Sequence, residues 1–139
     1  MVMTYPEVRR HKEFNNIRTF IKEYRGKEGR SSHYNVASKN ACIFLERLMV
    51  DFSYLLWFPW PEISIKGINT VMFLFYGKNI GLSMEVLANE TVELFYRTDK
   101  IEVYDEMHID DIFPRDFKKY IEKSAGALYY SRTGIEVSI

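Results

Sequence analysis

Glu62-Ile63-Ser64-Ile65-Lys66-Gly67-Ile68-Asn69, running on into Thr70-Val71-Met72-Phe73-Leu74-Phe75-Tyr76, is the stretch in which the hydrophobic period changes from about 3.6 residues to 2. Ile63 and Ile65 alternate with polar neighbours, a Lys66-to-Asn69 turn follows, and Thr70 to Tyr76 is a β-branched and aromatic run. Gly77-Lys78-Asn79 turns the chain again, and Ile80, Leu82, Met84 and Val86 then alternate with Gly81, Ser83 and Glu85, the pattern of a strand with one buried face. Ala88-Asn89-Glu90 closes a further hairpin, Val92, Leu94 and Tyr96 share one face of a fourth strand, and Ile101 with Val103 marks a short fifth strand at the edge. Connections this short favour antiparallel neighbours, so residues 62–104 are expected to form a four- to five-stranded antiparallel meander.

Outward from that sheet the period is helical. On the N-terminal side, Pro6 suits a first helical turn, and Phe14, Ile17, Ile21 and Tyr24 recur on one face. Gly26 and Gly29 stop that helix, and Lys27 to Asn35 reads as a loop. A second helix from about Val36 carries the stripe Ala41, Leu45, Leu48, Phe52 and Leu55. Pro59 and Pro61 end the helical part at about residue 58 and make Trp57-Phe58-Pro59-Trp60-Pro61 the passage from helix to sheet. On the C-terminal side, Asp110, Asp111 and Pro114 read as helix-start chemistry for a helix over 110–126, with Phe117, Tyr120 and Ile121 inward and Gly126 as its stop. Residues 128–139 fit either a loop or a terminal strand. The expected architecture is α+β over a single domain, 1–139, with two N-terminal helices, a meander and a C-terminal helix.

A chain of 139 residues can bury roughly two thirds of its unfolded surface without metals or disulfides. Apolar residues at 47% and aromatics at 16% supply a core and exclude a disordered chain. Cys42 is the single cysteine, no secretory h-region follows Met1, and the longest apolar run, Tyr54 to Pro61, is too short to span a bilayer. These features predict a cytoplasmic protein without a membrane segment.

Thr70 to Tyr76 is apolar on both faces, Val71, Phe73 and Phe75 pointing one way and Met72, Leu74 and Tyr76 the other. The simpler reading makes it a central strand with helices on one side and the rest of the chain on the other. The other reading makes one face a partner or homodimer surface, with Trp57, Phe58, Trp60, Phe73 and Phe75 as the apolar interface.

Net charge is zero but unevenly spread. Residues 1–30 carry a net +4 and residues 85–112 a net −7. The acidic half defines a partner-binding face of Glu90, Glu93, Asp99, Glu102, Asp105, Glu106, Asp110 and Asp111 for a basic partner. The basic helix offers Arg9, Arg10, Arg18, Lys22 and Arg25 to phosphates as the alternative, tempered by Glu7, Glu13 and Glu23 on the same element. His11, His33 and His108 lie in different elements, and Tyr104 to Asp111 lacks the glycine and ligand spacing of a calcium loop. Cys42 has no sequence-defined base beside it, and no phosphate-binding glycine loop or nucleophile elbow occurs. No catalytic residue, metal or cofactor is therefore assigned.

Pro61-Glu62-Ile63-Ser64-Ile65-Lys66-Gly67, Thr70 to Phe75, Ile80 to Val86 and Val92 to Tyr96 together resemble the meander of small accessory proteins of phages and mobile elements, some of which accompany toxins or defence systems. The resemblance covers about 40 residues of patterning, and Phe73, Phe75 and Tyr76 depart from it in aromatic content. It implies a non-enzymatic inhibitor of the antitoxin, immunity or anti-defence (anti-CRISPR-like) kind.

Overall fold

Strict alternation in the middle of the chain yields an antiparallel meander, and the flanking helical periods yield helices that pack on it. The arrangement is that of a computed structural model describing residues 5–24, 32–66 and 70–138, the side chains of 5–8 and 32–35 excepted. The elements in chain order are α1 (Tyr5–Glu23), α2 (Ser32–Asp51), β1 (Glu62–Lys66), β2 (Thr70–Gly77), β3 (Ile80–Leu87), β4 (Thr91–Thr98), β5 (Glu102–His108) and α3 (Arg115–Thr133). Strand order in space equals strand order in the chain, β1-β2-β3-β4-β5. The fold is thus α+β as the periodicity predicts. Asn79 (φ 59°) and Glu90 (φ 68°) take the left-handed positions of two of the tight turns that hold this order.

Several boundaries differ from expectation. Helix α2 starts at Ser32, inside the stretch read as a loop, and β5 runs on to His108, so the sheet ends there rather than at 104. Helix α3 spans 115–133 and not 110–126, because Asp110 and Asp111 belong to the turn after β5 and no side chain caps the helix at Pro114. Gly126 lies buried mid-helix, and the stop is Gly134, which at φ 72° donates its N–H to the Tyr130 carbonyl. Residues 128–133 of the ambiguous tail are therefore helix. The glycine stop after α1 and the Gly67-Ile68-Asn69 turn lie outside the described residues.

Register divides the sheet into two faces. Ile63 pairs with Phe73, Phe73 with Met84, Met84 with Leu94, and one step along, Val71, Val86, Val92 and Met107 are likewise opposed. All three helices lie on this side. From α2, Phe44 meets Phe73 at 5.6 Å between ring centroids; from α3, Tyr120 stacks on Tyr96 at 4.1 Å. Helix α1 packs against α2 and reaches the linker through Phe14 and Trp60, 5.7 Å apart. Among the described residues the three helices lie on the first face; on the other face Met72 is buried (6% exposed), Leu74 half-buried and Tyr76 exposed, so the expected cover behind β2 holds at Met72 and fails toward Tyr76.

Two arginines tie the helical layer to the sheet. Arg47 of α2 lies over the Phe113 ring, and its guanidinium donates to the carbonyls of Ile109 and Asp111 and to the Asp51 carboxylate, fixing the passage from β5 to α3. Arg10 of α1 sits over Phe58 and Trp60, 5.9 and 5.8 Å from the ring centroids, and half-burial lowers its pKa through desolvation.

Helix α3 approaches the sheet most closely at Gly77, where a Cβ would stand 2.7 Å from Cβ of Ala127. On the uncovered side, a Cβ at Gly81 would meet only Tyr76 Cβ, at 3.8 Å. Gly77→Ala is therefore expected to destabilise the protein by about 1–3 kcal/mol through overpacking, while Gly81→Ala changes stability by less than about 0.5 kcal/mol, as is usual at the surface. Urea unfolding of the two variants checks this contrast.

Candidate functional site

The uncovered face is a grid fixed by strand register. One row runs Ser64, Met72, Glu85, Glu93, Glu106 across β1 to β5. The next runs Glu62, Leu74, Ser83, Phe95, Tyr104, and a third runs Tyr76, Gly81, Arg97, Glu102 from β2 to β5. Tyr104 is 58% exposed, Tyr76 44% and Phe95 39%, although all three stand on strands. Gly81 and Ser83 leave β3 low between Leu74 and Tyr76 on one side and Phe95 and Arg97 on the other, making a shallow hollow of about 360 Å³.

Beside that apolar row the charge arrangement is unfavourable for the protein alone. Glu93 is directly opposite both Glu85 and Glu106, and like charges so placed destabilise a sheet. The N–H of Glu106 bonds to a side chain, so Glu93 and Glu106 form a non-hydrogen-bonded pair, the kind whose side chains lie closer. Among the described residues none of these three glutamates has an ion-pair partner. Tyr104, next to them, donates its hydroxyl to the Glu106 carboxylate at 3.4 Å, and its phenol pKa is pushed up by desolvation, by the charges of Glu93 and Glu106, by that hydrogen bond and by the charge of Asp105.

The acidic residues singled out in the sequence separate into two groups. Glu93, Glu102 and Glu106 belong to the open face, together with Glu85 and Glu62, which sequence reading did not single out. Asp105 and Asp111 serve the free edge of β5: their carboxylates accept the N–H of Glu106 and of His108, each at 2.8 Å. Filling edge donors in this way blunts strand addition. Glu90 and Asp110 flank His108, whose Nε2 stands 3.0 Å from Glu90 and whose Nδ1 accepts the Asp110 N–H. Asp99 is exposed in the β4–β5 turn.

The aromatic interface expected from sequence is instead core. Phe58, Trp60, Phe73 and Phe75 are buried on the helical side, and Trp57 is half-buried against Tyr129. On the opposite parity of these strands Tyr76, Phe95 and Tyr104 are exposed, Leu74 is half-buried and Met72 is buried. Counting register through the two-residue turn at Lys78-Asn79 would have found it, because that turn places the polar Ser83 and Glu85 opposite Leu74 and Met72.

The basic set is likewise dispersed. Arg10 is half-buried over Phe58 and Trp60, Arg9 pairs with Glu13 at 3.2 Å, and Arg25 lies outside the described residues. Arg18 and Lys22, with Lys39 of α2, line a cleft between the two helices that also holds Cys42 and Glu46. Desolvation raises the Cys42 pKa against the opposing pull of Lys22 and Arg18. Among the described residues no three His, Cys, Asp or Glu side chains converge as metal ligands would, and no helix is long and apolar enough to cross a membrane.

If the glutamate row is electrostatically frustrated, relieving it stabilises the fold. Glu93→Gln is expected to raise the unfolding free energy by about 0.5 kcal/mol at low ionic strength, a gain that shrinks as salt screens the row. Urea titrations at low and high salt measure it. The same substitution lowers the Tyr104 pKa, since a negative neighbour that disfavours the phenolate is removed, and ring-carbon NMR through the alkaline range reads that shift.

No protein-family model matches this chain, and neither a similar curated protein nor a similar solved structure is found.

Proposed function

We propose that this protein is a non-enzymatic binding protein that acts by occupying the surface of a protein partner with the open face of its sheet. The observation that carries the reading is the juxtaposition, on the side of the sheet away from the described helices, of exposed Tyr76, Phe95 and Tyr104 and half-buried Leu74 with the aligned carboxylates of Glu85, Glu93 and Glu106. Exposed apolar surface rimmed by charge is the usual mark of an interaction site. A row of like charges retained at a cost in stability is what a complementary partner would relieve. An antitoxin, immunity or anti-defence inhibitor, the setting that the meander's resemblance implies, works by this kind of occupancy. A homodimer built face to face would bring two glutamate rows together, which argues for a different chain as partner.

A second reading, binding of nucleic acid, draws on the cleft lined by Arg18, Lys22 and Lys39. Glu46 in the same cleft and the engagement of Arg9 and Arg10 elsewhere weaken it.

Affinity capture from host lysate separates the two. Wild-type protein is expected to retain a stoichiometric, nuclease-resistant protein, and Phe95→Asp or Leu74→Asp to weaken that complex by about 2 kcal/mol or more, as loss of a central apolar contact does. Arg18→Ala with Lys22→Ala should leave it intact. Capture that is indifferent to the sheet substitutions, or that disappears with nuclease and with the α1 substitutions, would contradict the proposal.

A further inference from the structure

The spacing of the open face specifies the shape of its partner as well as its charge. Glu85, Glu93 and Glu106 follow one another on adjacent strands, about 4.8 Å apart. The row therefore runs across the strands and covers roughly 10 Å. An extended partner strand repeats a side chain on one face only every ~6.7 Å, so cations at alternate positions drift off the row by the third. A helix brings positions i, i+4 and i+7 onto one side at about 6 and 10.5 Å from the first, at 1.5 Å per residue. That pattern stays in step with three carboxylates.

The neighbouring row fits the same ligand. Leu74, Ser83, Phe95 and Tyr104 lie two residues further along the strands, roughly 6.7 Å away, parallel to the glutamates. A helix about 10 Å wide laid across β2 to β5 would cover both rows. Its stripe next to the cationic one would need to be apolar, with one large side chain dropping into the hollow over Gly81 and Ser83. Strand addition at β5, the other common way for a sheet to take a peptide, is opposed by the Asp105 and Asp111 carboxylates on the edge N–H groups.

We infer that the open face receives an amphipathic α-helix of a partner protein, carrying Lys or Arg at i, i+4 and i+7 and apolar residues on the adjacent stripe. This rests on the proposed role of the face and adds the conformation and residue pattern of what binds it. Arg18 and Lys22 of α1 stand at i and i+4, but they border the cleft with Glu46 in their own chain. Association of two copies through that helix is accordingly an outcome the test must be able to expose.

The probe is a synthetic, helix-favouring peptide of about four turns, with lysines at i, i+4 and i+7 beside a leucine and tryptophan stripe. Two controls accompany it, one of the same composition in scrambled order and one with glutamate for lysine. The titration is followed by amide NMR of the full protein and by light scattering. Saturable shifts confined to β3, β4 and β5, an affinity for the patterned peptide at least ten-fold above the scramble, and a ten-fold or greater loss in Glu93→Lys are the expected results. The inference is overturned by equal binding of patterned and scrambled peptides, by no saturable binding, by shifts that map to the α1–α2 cleft, or by protein that self-associates through the face. If the peptide fails while Phe95→Asp still abolishes capture of the native partner, the face remains a binding surface and only the helical ligand is excluded.

Discussion

A strand that is apolar on both faces must be covered on both, and the packing of β2 shows the protein's answer to only half of that requirement. Val71, Phe73 and Phe75 lie under α2 and α3, locked by rings from Phe44 and Phe58 and by the close approach of Gly77 to Ala127. Met72, Leu74 and Tyr76 face away from every described helix, and their exposure rises along the strand from buried Met72 through half-buried Leu74 to exposed Tyr76. Both helices that touch the sheet are committed to one side by the arginine anchors and the aromatic linker, so neither is free to serve the other. The exposed face follows from that one-sided layering.

The charge distribution acquires a physical meaning on this frame. Nine acids crowd residues 85–112, but the sheet assigns them separate duties. Asp105 and Asp111 fill edge N–H groups, and Glu90 holds His108 at the β3–β4 corner. Glu106 accepts the Tyr104 hydroxyl at 3.4 Å, and Glu85, Glu93 and Glu106 otherwise oppose one another across the strands. A protein selected only for stability would interleave lysine or threonine there. Keeping glutamate at three successive cross-strand positions is the kind of local conflict that marks a functional surface.

Much of this was legible in the sequence. The shift from helical to alternating period located all five strands, and the parity of Val71-Phe73-Phe75 against Met72-Leu74-Tyr76 disclosed two apolar faces. Parity alone does not say which face the helices take. The alternative reading gives Phe73 and Phe75 to an interface, whereas β3's own apolar positions, Leu82, Met84 and Val86, pair with this set and make it the core. Gly126 misled because a mid-helix glycine and a terminal one look alike in sequence; the terminating residue is Gly134, in the left-handed conformation. The edge duties of Asp105 and Asp111 depend on backbone geometry and left no pattern to read.

The account depends most on the far face of β2 being open to solvent in the protein by itself. Relaxation of side-chain signals by an inert, soluble paramagnetic chelate measures that directly. The rings of Tyr76, Phe95 and Tyr104 should relax strongly and the methyls of half-buried Leu74 to an intermediate degree, while Leu82, Met84 and Phe73 stay protected at concentrations where light scattering reports a monomer. Protection of Leu74, Phe95 and Tyr104 to the level of Leu82 would mean that the face is already covered, and would contradict both the one-sided layering and the function drawn from it.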